Sequence, residues 1–542
     1  MAKINFTNES TYKTYLESGK EQEFDQLFDK AVAEAKQGFG ERFPMYIGGK
    51  VVNSNELFEE KSPIDGTLIG RFQKGTREHA SLAIEAAQTA FLSWSAMDYR
   101  KRIAIFRDAA DLLSKRKFGI AAILSWENGK SRYESMGEVD EAIDFMRYYA
   151  NEVEANKGYS RKTHSAQSTA GVSLGFQGAP SGAEKVTIEM KPYGVFGVIA
   201  PFNFPVSISV GMSTGAMITG NTVVFKPSST DNMTMLTGLK IYELFRDAGI
   251  PDGVFNYITG AGSVVGDEIV SNSGVAGISF TGSRATGMAM VSKCFAMGKQ
   301  KVFIVEMGGK NPAIITKNAN LEKAVSGVAS AAFGFAGQKC SALSRVYVHE
   351  SVKEQFISKL IGTVREFKIG NPLNKGVYIG PLMSESAFKR YTDTMIKARA
   401  TARVLYGGEI VKTGIPDRFY VEPAIIEAKH DSELVQKELF LPILTIEGFT
   451  SLDEAIRLAN DTEYGLTAGF YSNSGKEIRK FREGINAGVV YINREISATT
   501  GAIVGLHTFV GWKGSALTGK GSGSKFYLQQ FMREQSVSLT GK

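Results

Sequence analysis

Two series of short apolar runs alternating with helical segments predict an α/β protein with mostly parallel sheets in at least two packed domains. The first series lies between residues 194 and 310, where VFGVIA, NTVVFK, GVFNYITG, VAGISFTG and KVFIVEMGG each end in small residues. Strands separated by helices form βαβ units, and the loops at the carboxyl ends of such strands bind ligands. The second series runs from about Asn311 to Gly484, with AFGFAGQKCSALSRVYV and TEYGLTAGFYS as its clearest strand and loop signals. The third observation is length, since 542 residues exceed what one hydrophobic core closes around.

The N-terminal MAKINFTNESTYKTYLESGKEQEFDQLF mixes charges with isolated apolar residues and has no hydrophobic signal region, so it reads as a helix rather than a leader. From Ser81 to Asn156, RIAIFRDAADLLSKRK and EVDEAIDFMRYYANEVE place apolar residues three and four apart, predicting covering helices with solvated charged faces. Next, GYSRKTHSAQSTAGVSLGFQGAPSGAEKVTIEM predicts an extended flap in need of a partner surface. Residues 192–225 carry no charge and are long enough to raise the question of a membrane span. Pro201, Pro205, Asn203, Asn221 and five glycines interrupt them, so a buried strand, helix and strand are expected instead. The Gly- and Ser-rich tail after Ile485 resumes as a strand near the end.

Composition excludes several classes. Hydrophobic residues make up 43% and charged residues 22%, the balance of a globular protein. The net charge of +7 is spread thinly, and no Lys/Arg block interleaves with aromatics, so no nucleic-acid role is expected. Two cysteines, Cys294 and Cys340, make no disulfide framework, and five scattered histidines offer no metal spacing. A cytoplasmic protein without a structural metal or membrane segment is expected.

Four segments can carry chemistry. Cys340, in GQKCSALSR, has small neighbours that leave room for a substrate, and Lys339 adds positive charge that would favour a thiolate nucleophile. Cys294, in SKCFAMG, reads as structural. Glu306, in VEMGGKN, ends an apolar strand before a glycine pair, where partial burial would raise its pKa toward that of a general base. FTGSRATG, residues 280–287, follows a strand and opens a helix, which makes an anion site of free N–H groups. TGAGSVVG, residues 259–266, reads as a turn. Asn203, between two prolines in APFNFP, is fixed well enough to donate to a developing oxyanion.

Together PFNFP, FKPSS, FTGSRATG, VEMGGKN, GQKCSALSR and ELFLP resemble the aldehyde dehydrogenase superfamily in order and approximate spacing, over about Tyr46 to Ser538. The resemblance implies a Rossmann-like NAD(P) domain (1–160 and 185–305), an α/β catalytic domain (306–484), and an oligomerisation flap and tail (161–184 and 485–542). It implies Cys340 as nucleophile, Glu306 as base, and Asn203 as oxyanion donor beside the Cys340 N–H. Lys226 and Ser229 would hold the adenosine ribose and Ser283 the pyrophosphate, while Glu438 and Phe440 grip the nicotinamide ribose. Ala200, Pro201, Phe202, Ser228 and Gly282 fall beside them in the cofactor site. A CoA-acylating relative is disfavoured because Glu306 is present, and a silent relative because Cys340, Glu306 and Asn203 are intact.

Within the superfamily, GFAGQKCSALSR and INREISATTGAIVG are most similar to the Δ1-pyrroline-5-carboxylate dehydrogenase group, which oxidises glutamate semialdehyde in proline breakdown. That likeness implies that Ser341 and the N–H groups of Gly501 and Ala502 bind an α-carboxylate, that Phe204 and Phe509 sandwich the aliphatic chain, and that Glu134 pairs with Lys339. It also implies a homodimer or higher oligomer. HTFVGWKGS stands where the group has a Pro-Phe-Gly-Gly run, which leaves succinate or 2-oxoglutarate semialdehyde as the alternative substrate. Ser229 stands where many relatives carry Glu, so NADP is expected beside NAD.

Overall fold

Val195–Ile199 and Thr222–Lys226 are neighbouring parallel strands, almost wholly buried, as expected of unbroken apolar runs. In a computed structural model of the chain, which describes residues 6–162, 184–412, 414 and 418–540, they lie inside a seven-stranded sheet. Its order is Val302–Glu306, Val275–Thr281, Val195–Ile199, Thr222–Lys226, Phe255–Tyr257, then the hairpin Met45–Ile47 and Lys50–Val52. The first five strands are parallel. The chain steps outward from Val195–Ile199 to Phe255–Tyr257, then returns to Val275–Thr281 on the other side. This change of direction opens a crevice at the carboxyl ends, between Ala200 and Gly282, where ligands bind in such sheets.

A second seven-stranded sheet follows the order Arg403–Tyr406, Ala424–Glu427, Ile443–Phe449, Leu343–His349, Asn311–Ile315, Thr467–Tyr471, Val489–Ile492. All neighbours are parallel except the first pair. Val489–Ile492 comes from the segment expected to be tail, so that segment contributes a strand to the second sheet before leaving it. Ser160–Lys162, Glu184–Pro192 and Met532–Thr540 form a third, antiparallel sheet, the latter two paired along nine residues. The rest of the expected flap, residues 163–183, lies outside the described residues.

The uncharged stretch folds as strand, helix Ser207–Ile218 and strand, and no described helix is long and apolar enough to cross a membrane. The helices Arg77–Ala96, Tyr99–Asn128 and Arg132–Ala155 occupy the expected span. Arg132–Ala155 departs from the expected solvated face, because Glu138, Asp140, Asp144 and Glu152 are buried. The chain's own N-terminal segment covers it: Thr11 N–H donates to Asp140, and Glu9 N–H and the Asn8 amide donate to Asp144. TGAGSVVG also differs from the expected turn, since Gly262–Gly266 is a wide helical turn running into helix Asp267–Ser271.

Candidate active site

The chain passes from the first sheet to the second through Met307, Gly308, Gly309 and Lys310, and the site is built around this crossing. Glu306 ends the edge strand Val302–Glu306, and Asn311–Ile315 opens the next sheet. A Cβ on Gly308 would lie 2.1 Å from Glu438 Oε2 and would displace that carboxyl, and one on Gly309 would lie 2.4 Å from the Cys340 carbonyl oxygen, where the backbone leaves room for glycine alone. The Gly309 N–H donates to Glu438 Oε1 at 2.9 Å, and the Asn311 amide donates to the carbonyls of Cys340 and Ala342 at 2.8 and 2.9 Å.

Cys340 is delivered by the loop after helix Leu321–Phe333. Phe335, Ala336 and Gly337 all have positive φ and turn the chain back before strand Leu343–His349. The left-handed conformation costs roughly 1–2 kcal/mol at each non-glycine residue.

A cavity of about 440 Å³ opens beside this loop, and Cys340, Glu306, Ser341, Phe204, Phe509, Gly501, Ala502, Lys339 and Glu134 all line it. Asn203 is not in its wall. Its amide donates to the Gln338 carbonyl at 3.1 Å, two residues from Cys340, which engages one of its two N–H groups.

Burial, with the Glu438 and Glu306 carboxylates nearby, pushes the Cys340 thiol up to about 12, against the pull of the backbone N–H groups of Ser341 and Cys340. The expectation that Lys339 favours the thiolate is therefore corrected. Its ammonium bonds Glu134 Oε1 at 2.5 Å and spends its charge there. Burial also holds the Glu306 carboxyl well above the usual carboxylate range, opposed by the Gly511 N–H, and its Oε2 has no hydrogen-bond partner. A raised carboxyl with a free oxygen facing the cavity is suited to carrying a proton.

The anchor loop also lines this cavity. Thr499 Oγ1 donates to the Ser341 carbonyl at 2.8 Å, and Arg494 donates to the carbonyls of Thr500 and Gly501, both at 2.8 Å. With its carbonyls turned toward Arg494, the loop leaves the N–H groups of Gly501 and Ala502 without an acceptor among the described residues. Gly501 sits at φ +73°, where L-residues are strained.

The crevice of the first sheet carries the expected cofactor residues. Ser283 caps helix Arg284–Ala296, its hydroxyl accepting from Thr286 N–H at 3.2 Å, next to Gly282. Lys226 is buried, with a carbonyl, that of Pro227 at 3.3 Å, as its hydrogen-bond partner and no carboxylate within ion-pair distance among the described residues; burial lowers its pKa to about 8. The Ser229 hydroxyl bonds the same carbonyl at 3.0 Å, and the Ser228 carbonyl accepts from Thr234 N–H. The Ala200 N–H donates to the Lys226 carbonyl at 3.1 Å, tying the Ala200-Pro201-Phe202 loop to this strand. Phe202 meets Phe440 edge to face at 5.8 Å. A buried ammonium without a counter-ion, a helix N-terminus and a carboxylate beside the glycine crossing fit the ribose hydroxyls and diphosphate of a nicotinamide dinucleotide.

Sequence reasoning missed two contributors. Gly511, in the divergent HTFVGWKGS segment, supplies the N–H that reaches Glu306, and the same segment pairs Ser515 O with Met307 N–H at 2.7 Å. Lys130 and Glu138 form a buried ion pair, with the Lys130 ammonium 3.4 Å from the centre of the Phe204 ring and Glu138 accepting from Val206 N–H at 2.7 Å. The i, i+4, i+7 spacing of Glu134, Glu138 and Glu141 was the available signal for a polar face turned inward.

Sheet order, crevice and cysteine loop define a class. The chain belongs to the aldehyde dehydrogenase family, whose model matches residues 51–537. It is 33% identical over 523 residues to a 1-pyrroline-5-carboxylate dehydrogenase of Bacillus cytotoxicus, covering 94% of this chain and 95% of the relative. A Thermus 1-pyrroline-5-carboxylate dehydrogenase with bound NAD superposes with a TM-score of 0.89 at 29% identity, covering all of both chains. Proline utilization A from Bdellovibrio bacteriovorus, inactivated by N-propargylglycine, superposes at 0.90 with 33% identity, and this chain spans 54% of that longer protein.

Proposed function

We propose that the chain is an NAD-dependent dehydrogenase that oxidises L-glutamate 5-semialdehyde, the open form of 1-pyrroline-5-carboxylate, to L-glutamate in proline breakdown. The observation that carries this is one cavity lined by Cys340, by Glu306 and by Gly501 and Ala502, whose N–H groups have no acceptor among the described residues. The loop fixes the α-carboxylate with Ser341, and Phe204 and Phe509 flank the aliphatic chain. Cys340 gives its proton to solvent water and its sulfur attacks the aldehyde carbon, giving a thiohemiacetal whose oxyanion meets the Cys340 N–H and the Asn203 amide. When bound, the nicotinamide accepts the hydride that this carbon gives up. Glu306 then takes a proton from water, which cleaves the thioester to the acid and frees the thiol. Lys226, Ser229, Ser283, Glu438 and Phe440 hold the cofactor. With no carboxylate beside Lys226, NADP is accepted as well as NAD.

The identity and coverage shared with the Bacillus enzyme, and the fold shared with the NAD-bound Thermus enzyme, support this reading. Residues 1–160 with 185–305 serve as the cofactor domain and 306–484 as the catalytic domain of a cytoplasmic enzyme. The paired strands Glu184–Pro192 and Met532–Thr540 expose Ile188, Val537 and Leu539, which a partner subunit would cover in a homodimer. The test is nicotinamide reduction with pyrroline-5-carboxylate, offering NAD and NADP separately, for the wild type and Cys340→Ala. Turnover that vanishes in the variant supports the reading. A wild type silent there but active on succinate semialdehyde overturns the substrate.

A further inference from the structure

Three carboxylates of helix Arg132–Ala155 face the substrate cavity, and two have a basic partner. Glu134 pairs with Lys339 and Glu138 with Lys130. Glu141, one turn further along the same face, has no cation within ion-pair distance among the described residues. It is half-buried and lines the cavity together with Ser207. Ser207 follows one turn after Phe204, the ring set against the substrate's chain.

A carboxylate in such a pocket needs a cation, since an uncompensated buried charge is unfavourable. The cavity lining therefore carries two complementary features: N–H groups of Gly501 and Ala502 with no acceptor among the described residues, for an anion, and Glu141 for a cation. A zwitterionic α-amino acid head presents that pair of charges on one carbon.

We infer that Glu141 is the specificity-determining residue that binds the α-ammonium group of the semialdehyde substrate. This rests on the substrate reading above. The contact also bears on the form of the substrate bound. In the open chain, a neutral amine can attack its own aldehyde carbon, lose water and close the five-membered imine. A proton kept on nitrogen by Glu141 occupies the lone pair that attack requires. Burial pushes the empty Glu141 carboxyl up to about 7, and an adjacent ammonium brings it down again.

The experiment compares L-glutamate 5-semialdehyde with 5-oxopentanoate, which has the same chain and carboxylate but no amine, in wild type and Glu141→Gln. The loss of one charge-assisted hydrogen bond should lower kcat/KM for the amino substrate about tenfold to hundredfold, mainly through KM, and leave that for 5-oxopentanoate unchanged. An equal fall for both substrates, or none for either, overturns the inference. Wild-type enzyme that oxidises 5-oxopentanoate but ignores the amino substrate overturns the substrate reading itself. A wild-type preference that survives Glu141→Gln overturns the role of Glu141 alone. Independently of any variant, L-glutamate should inhibit the wild type at lower concentration than glutarate, and equal inhibition would sink the proposal.

Discussion

Replacing Glu306 with Gln separates the two halves of the reaction. The side chains have nearly the same shape, and the atom replaced by NH2 is the Oε2 that has no partner among the described residues. Stability should therefore change by less than about 1 kcal/mol. What disappears is the base that prepares water to cleave the thioester. General-base catalysis contributes about 10²- to 10⁴-fold, equivalent to roughly 3–5 kcal/mol of barrier. The variant should release about one reduced nicotinamide per active site in a rapid phase and then turn over slowly, as an acylated enzyme does. The Cys340 thiol should also ionise more readily, because one of the two carboxylates that raise it is gone. Stopped-flow absorbance resolves both phases. A steady-state rate close to wild type, or no rapid phase, would refute the assignment of Glu306 to hydrolysis.

Other perturbations test separate parts of the site. Alkylation of Cys340 by iodoacetamide in cofactor-free enzyme should keep rising with pH and show no plateau below about pH 10, because only the thiolate reacts and the thiol sits near 12; a plateau at about pH 8, near an unperturbed thiol, would contradict this. Gly501→Ala should raise KM for carboxylate-bearing aldehydes more than for simple ones and lower stability by about 1 kcal/mol, since φ is +73° there; equal effects on both aldehydes would separate the loop from carboxylate binding. Lys130→Met leaves Glu138 charged and unpaired in the interior and should destabilise by about 3–5 kcal/mol in urea unfolding. Lys130→Met with Glu138→Gln should recover part of that loss. Sedimentation at micromolar concentration should show at least a dimer, and a monodisperse monomer would remove the partner-covered sheet from the proposal.

Much of this architecture was legible because it follows from periodicity and punctuation. Apolar runs that end in glycine mark both parallel sheets, and the interruptions by Pro201, Pro205 and Asn221 mark where the uncharged stretch turns. The pairings were less legible, because they depend on residues far apart in sequence. The spacing of Glu134, Glu138 and Glu141 marks one acidic face of Arg132–Ala155, but that it is covered shows only when residues 8–11 and the segment entering helix Ser207–Ile218 are packed over it. The pull of Lys339 on the thiol was misjudged although its pairing with Glu134, 205 residues away, was itself implied by the resemblance, because the ammonium's charge is taken up by that carboxylate. Ser341 and Thr499 are likewise joined only in the folded chain, by a hydrogen bond across 158 residues.

The glycine crossing has a consequence for how such an enzyme can change. Cys340, Glu306 and Glu438 converge on a strip of backbone where Gly309 has no room for an added carbon and Gly308 takes one only if the Glu438 carboxyl moves. Variation that alters substrate choice must therefore enter elsewhere, through the anchor loop and the helix face carrying Glu141. In a saturation library, Gly308 and Gly309 should emerge as positions where even alanine is rejected, while positions 496–503 yield enzymes with new preferences and the same chemistry. The fold in effect keeps its reaction in one place and its taste for substrates in another.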